Sequence, residues 1–213
     1  FTSLLAGQFV EAGKLHWHST PAEVFPELKD KMNAEFAKIT LEQLLSHSSG
    51  LSDKSLLDLI YRSYQEDGTM DEVRYWMVKE TASKPLDHPR GSKFDYCNLG
   101  YTIAGAMLER VATKTWEELI EQRIITPLGL KTAGFGPQAN LGKVGAPLGH
   151  VLLNGKAKAM LAGPNGDNPP ILGPAGTMHM SVLDFAKWVA WHAAEGKRPP
   201  ALVSPETVKK LHT

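Results

Sequence analysis

The chain has 213 residues, 42% of them hydrophobic and 22% charged, with 23 basic side chains balancing 23 acidic ones. That is the composition of an ordinary globular protein, long enough for one substantial core or two small ones. Zero net charge leaves no basic footprint for nucleic acid and no polybasic membrane anchor, and no apolar run approaches the roughly 20 residues that cross a bilayer.

Phe1, Leu4, Leu5, Phe9 and Val10 recur at helical spacing, and Gly13 suits the C-cap of that helix. A helix that opens apolar and uncapped reads as though sequence were missing upstream. "KLHWHSTPAEVFPEL" reads as a short strand followed by a proline-punctuated connector. Thr40 with Gln43 forms a capping box that opens a helix through Leu44 and Leu45, stopping at Ser49-Gly50. A second helix is expected over Leu56 to Tyr64, and a third, capped by Thr69 with Glu72, runs to Thr81. "SKPLDHPRGSKF" is loop.

From Asn98 the helical period returns, with Tyr101, Ile103, Ala104, Met107, Leu108 and Val111 on one face. Thr115 caps the next helix, which should end before Pro127. Gly134 to Gly176 is rich in glycine and proline and has little period, apart from a hairpin signalled by Asn154-Gly155. Such a segment is either the wall of a site or a connector over the surface. Ser181 with Asp184 opens a helix to Ala194, and Ser204-Pro205-Glu206 begins the last one.

The candidate chemistry lies in Tyr96-Cys97-Asn98. Structurally, Asn98 would be the N-cap of a helix starting at Leu99, with Tyr96 packed beside it. Chemically, a phenol and an amide two residues apart can project into one cleft. A tyrosine becomes a useful base only where a neighbouring cation stabilises the phenolate, and an asparagine there can hold that cation and bind a substrate carbonyl. Cys97, the chain's only cysteine, cannot form an internal disulfide and should face the core as a small hydrophobe.

Four stretches occur in order: "ITLEQLLSHSSGL", "FDYCNLGYTIAGAMLE", "ITPLGLKTAGFG" and "GPAGTMHMSVLDFAKWV". With "FTSLLAGQFVEAGKL" at the start and "LVSPETVKKLHT" at the end, they resemble the serine β-lactamase-like and DD-peptidase superfamily: class C β-lactamases, penicillin-binding proteins and esterase relatives. The resemblance implies a helix-rich α+β fold, mainly the helical domain and cleft loop, with little of the central antiparallel sheet. It implies a single domain over 1–213, incomplete at both ends, with a helical subdomain at 40–133. An irregular segment at 134–180 would frame the cleft and carry a hairpin near 150–160. By the same resemblance Tyr96 and Asn98 match the Tyr-x-Asn motif, as base and binding amide. The implied activity is hydrolysis of an ester, amide or β-lactam through an acyl-serine, with no cofactor and no metal.

The chain departs from the family at two motifs. No Ser-x-x-Lys occurs in the 213 residues, and the Lys/His-x-Gly motif is expected beyond Thr213. Thr81-x-x-Lys84 has the first spacing, and Lys143-Val144-Gly145 has the letters of the second, both at the wrong place in the order. Two other readings therefore stand beside the hydrolase: a non-catalytic remnant acting as a binding or structural module, and a metal site built on His16 and His18. "SHSSG" at Ser46 to Gly50 holds serines and a histidine together, but the family uses it to end a helix. Exposed apolar faces would call for a partner segment or a homodimer. The resemblance implies a periplasmic or secreted address, while the residues show no signal peptide and leave the cytoplasm open.

Overall fold

The computed structural model describes residues 1–139, 145–160 and 166–213. Helix α1 (Thr2–Glu11) ends in a Schellman motif: Gly13 takes φ 64°, its N–H donates to Val10 O at 3.0 Å, and the Lys14 N–H donates to Phe9 O at 2.9 Å. The strand expected next does not form. The Ser19 N–H donates to His16 O, and Ser19 Oγ accepts from the His16 N–H, both at 2.9 Å. One serine satisfies locally the backbone groups that a strand would offer to a partner.

Helix α2 (Pro21–Val24) is followed by 3₁₀ turns at Pro26–Lys31 and Phe36–Lys38, then by α3 (Leu41–Leu45). A turn at Asp53–Ser55 leads into α4 (Leu56–Ser63), α5 (Met70–Ala82) and α6 (Asn98–Ala112). The expected caps hold: Gln43 and Thr40 bond reciprocally at 3.1 Å, and Glu72 accepts from the Thr69 N–H at 2.8 Å.

Helix α7 (Trp116–Ile120) does not stop before Pro127. It passes through a π-helical turn at Glu121–Ile125 into α8 (Thr126–Leu128). A proline inside a helix strands the carbonyl four residues back. Here that carbonyl belongs to Arg123, and it accepts from Gln8 Nε2 of α1 at 3.2 Å. A side chain from a distant helix thus makes good the missing donor.

The remaining elements are β1 (Gly134–Phe135), β2 (His150–Leu153), β3 (Lys156–Ala159), α9 (Gly173–Gly176), β4 (Met178–His179), α10 (Val182–Ala193) and α11 (Pro205–Leu211). β1 pairs antiparallel with β4, Gly134 opposite His179, and β2 pairs with β3 as a hairpin, Leu153 opposite Lys156. The result is helix-rich α+β with small sheets, as expected. Val182, Leu183, Phe185 and Val189 leave α10 with an exposed apolar face. No helix among the described residues is long and apolar enough to cross a membrane.

Helix α6 is the centre of the molecule. Leu99, Ile103, Ala104, Ala106, Met107 and Leu108 are all buried, so it is apolar around most of its circumference. It packs against α1, α3, α5 and α9. A Cβ at Gly105 would overlap the Pro174 ring, so a bare backbone is what lets α9 lie on α6.

At the far end of α6 one cation is buried. Arg74 of α5 is 0% exposed and donates to Ile171 O at 3.0 Å and Pro170 O at 2.8 Å. It meets Glu117 through two bonds, at 3.0 and 2.5 Å, and Glu109 of α6 at 2.5 Å. Glu109 Oε1 also accepts from the Trp116 N–H at 2.7 Å. Trp116 Nε1 donates to Thr2 Oγ1 at 3.1 Å, and that hydroxyl donates to Pro174 O at 2.6 Å.

Burial works against the charge on Arg74, but the two carboxylates outweigh it and hold its pKa above the ordinary value. Glu117 already matches that charge, which leaves Glu109 as a surplus anion. Its Oε2 is buried with no partner among the described residues. Burial lifts the Glu109 carboxyl from 4.5 to about 7, against the pull of Arg74 and the Trp116 N–H. A carboxyl whose folded pKa lies above its unfolded one stabilises below the unfolded value, and loses that contribution as pH rises through the folded one. Glu109→Gln should therefore flatten the pH dependence between about 4.5 and about 7. Its stability should fall less than that of the parent as the pH is raised from 5 to 8. Urea unfolding of both forms at pH 5 and pH 8 checks this, and an equal change in stability between the two pH values in both forms would contradict it.

Candidate active site

The site is assembled where the end of α3 meets the start of α6. Helix α3 closes in a second Schellman turn, with the Ser48 N–H donating to Gln43 O at 3.0 Å. The left-handed position of that turn is His47, at φ 57°, where glycine is the usual residue. The turn then zips onto the loop that leads to α6. His47 O accepts from the Asp95 N–H at 2.8 Å, Ser48 O from the Gly91 N–H at 2.8 Å, and Gly50 O from the His88 N–H at 3.1 Å.

His47 Nδ1 accepts from the Cys97 N–H at 3.1 Å, which assigns the proton of the neutral ring to Nε2. Burial holds the imidazole pKa below its ordinary value, against the nearby Asp53 charge. Its ring lies 4.5 Å from that of Tyr96, 5.0 Å from Tyr101 and 5.5 Å from Phe94. Tyr101 is pinned in turn, its hydroxyl donating to Leu45 O at 2.9 Å. Tyr96 is exposed, and its ring leans on that of His47.

Tyr96 and Asn98 do converge: Tyr96 Oη lies 3.3 Å from Asn98 Oδ1. Asn98 is not the N-cap that the sequence suggested. It is the first residue of α6, and Cys97 stands at the cap position, its Sγ accepting from the Gly100 N–H at 3.3 Å. The stronger cap comes from outside the segment. Asp53 Oδ2 accepts from the Asn98 N–H at 3.0 Å and from Asn98 Nδ2 at 2.6 Å, and Oδ1 accepts from the Leu99 N–H at 3.0 Å. Nothing in the sequence near Tyr96 signals Asp53, because it arrives from 45 residues upstream.

Beside this pair a cleft of about 490 Å³ is lined by Ser3, Trp17, Leu45, His47, Phe94 and Tyr101, with Glu42 and Lys210 also in its wall. Lys210 Nζ donates to Glu42 at 2.6 Å and lies 5.4 Å from the Trp17 ring centroid. Tyr96 and Asn98 stand outside that lining. The hollows within 134–180 are lined by other residues, including Gln138, Pro147 and His179, and do not contain Tyr96 or Asn98.

The other candidates have structural roles. Thr81 is buried, and its hydroxyl donates back to Met77 O at 2.8 Å within α5. Lys143-Val144 lies outside the described residues. Ser46 Oγ and Ser48 Oγ bond to one another at 2.9 Å rather than to His47. His16 and His18 flank a turn rather than sharing a strand face. No metal-competent cluster of three or more His, Cys, Asp or Glu exists among the described residues.

A model of the β-lactamase family matches residues 1–213, and the chain belongs to that family. Penicillin-binding protein 4 of Amycolatopsis lactamdurans is 27% identical over 214 residues, taking in 93% of this chain and 50% of that relative. The octameric penicillin-binding protein homologue from Pyrococcus abyssi superposes with a TM-score of 0.73 at 25% identity, over 100% of this chain and 46% of its own. A D-stereospecific amidohydrolase from Streptomyces sp. shares the fold at a TM-score of 0.72 and 19% identity, over 98% of this chain and 61% of its own. The chain spans about half the length of the curated relative it matches.

Cys97 is 1% exposed, and burial pushes its thiol up to about 12. The thiolate is the nucleophilic form, so this cysteine should be inert in the folded state. Iodoacetamide at pH 8 should leave the native protein unmodified by mass and add one carbamidomethyl group per chain after unfolding in urea. Rapid modification of the native form would overturn the assignment of Cys97 to the core.

Proposed function

We propose that this chain forms part of a serine hydrolase that cleaves an ester, amide or β-lactam through an acyl-serine. The reading rests on one observation, the approach of the Tyr96 hydroxyl and the Asn98 amide oxygen to 3.3 Å at the mouth of α6. Two oxygens so placed suit an ammonium ion between them. A cation there would stabilise the Tyr96 phenolate, which could then take the proton of a serine hydroxyl and later return it to the leaving group. Asn98 would hold the cation and help to orient substrate.

No Ser-x-x-Lys occurs in the 213 residues, so the reading places the nucleophile and its lysine in flanking sequence of the same polypeptide. Residues 134–180 would frame the far side of the cleft, and a partner segment or second copy would cover the apolar face of α10. The alternative is a non-catalytic binding module, favoured by that same missing motif.

The full-length polypeptide that carries this chain should gain the mass of one fluorophosphonate adduct per subunit and hydrolyse p-nitrophenyl acetate. Tyr96→Phe keeps the ring that packs on His47 and removes only the hydroxyl. It should cost roughly 10²- to 10⁴-fold in kcat, the range of a lost general base, while stability shifts by less than about 0.5 kcal/mol, as at an exposed position. A protein with neither adduct nor turnover would support the binding module instead.

A further inference from the structure

We infer that Asp53 is the positioning residue of this site, fixing which end of the Asn98 amide faces Tyr96. The inference rests on the hydrolase reading for its consequence in turnover, but its geometry stands apart from it. An ionised carboxylate only accepts hydrogen bonds. The side-chain group of Asn98 that lies 2.6 Å from Asp53 Oδ2 must therefore be the NH₂, and the carbonyl oxygen must point the other way, to the Tyr96 hydroxyl at 3.3 Å. The same carboxylate takes the backbone N–H groups of Asn98 and Leu99, both at 3.0 Å, so the amide is referenced to the helix terminus itself. The amide cannot turn over without setting its oxygen against a carboxylate.

Asp53 is itself held. Ser52 Oγ and Lys54 Nζ, the residues on either side of it, both donate to the Asp87 carboxylate at 2.6 Å. Asp87 thus anchors the turn, and Asp53 carries that anchorage to Asn98. Without Asp53 the amide of Asn98 could present either its oxygen or its NH₂ to the phenol. An NH₂ there would repel the ammonium ion that a tyrosine base needs beside it.

This separates Asp53 from a plain helix cap. Both roles predict lost stability when the carboxylate goes, but only positioning predicts that the loss in turnover passes through Asn98. In the full-length protein, Asp53→Asn should lower kcat for p-nitrophenyl acetate by roughly 100-fold, the scale of a misplaced catalytic group. That value is taken per site titrated with fluorophosphonate, and KM should change little. Made in an Asn98→Ala background, the same substitution should cost almost nothing further. Where Asp53→Asn does not fold, Asp53→Glu, which displaces the charge, gives the same comparisons.

The Asn98 side-chain NH₂ gives a readout independent of activity. In ¹⁵N spectra its protons should exchange with solvent slowly in the parent and fast in Asp53→Asn. Equal exchange rates, an unchanged kcat, or losses that multiply with Asn98→Ala would each overturn the inference. A parent that takes no fluorophosphonate would instead sink the hydrolase reading, and the exchange rates would still decide whether Asp53 holds the amide.

Discussion

A guanidinium with no water around it must find acceptors in the protein, and Arg74 finds them in α6, in α7 and in the carbonyls at Pro170 and Ile171. Buried ion pairs are poor sources of net stability, because desolvation consumes most of the attraction. Their effect is geometric: each acceptor that moves away leaves charge unpaired in a dry interior. The segments that meet at Arg74 are for that reason locked in one arrangement. Glu109 lies three helical turns from Asn98 on the same helix, about 16 Å along its axis. The direction in which the start of α6 points is therefore set partly at its opposite end.

At the start of α6 the same need for partners is met by a different means. The free N–H groups of a helix terminus attract anions and acceptors, and three unlike acceptors have collected there: the Cys97 sulfur, the Asp53 carboxylate and, one residue earlier, the His47 imidazole. Two of these acceptors, Asp53 and His47, also hold a side chain of the Tyr96–Asn98 pair. Structure and candidate chemistry are thus inseparable here, and His47 shows the cost. It occupies a left-handed position that glycine would fill more comfortably, and in return it offers a ring for Tyr96 to lean on.

What the sequence disclosed was local. The boxes at Thr40–Gln43 and Thr69–Glu72 are contained within four residues, so reading them needs no knowledge of the fold. The helical period of α6 was legible for the same reason, although burial runs around most of the helix rather than along one face, and so was the convergence of two side chains only two residues apart. The misreadings came where a distant group overruled a local rule. Pro127 should end a helix, but Gln8 supplies the donor its carbonyl partner lacks. Asn98 is a good N-cap residue by type, but Asp53 occupies the helix terminus and turns the asparagine into a ligand of its own. Lys14 to His18 has the letters of a strand, but Ser19 closes a turn first. Asp53 itself is one carboxylate among many in the sequence, and only tertiary structure gives it meaning.

The hairpin at His150–Leu153 and Lys156–Ala159 stands apart from the Arg74 cluster and from the start of α6. Every one of its strand residues is exposed, and its turn, with Asn154 and Gly155 both at positive φ, closes without help from the rest of the chain. A segment with no core side chains is free of the packing constraints that hold the helices. Its strand residues can be exchanged by an engineer while the Arg74 cluster and the α6 terminus stay as they are. The molecule is in that sense divided into a part where change is costly and a part where change is nearly free, and new surface properties would be acquired in the second.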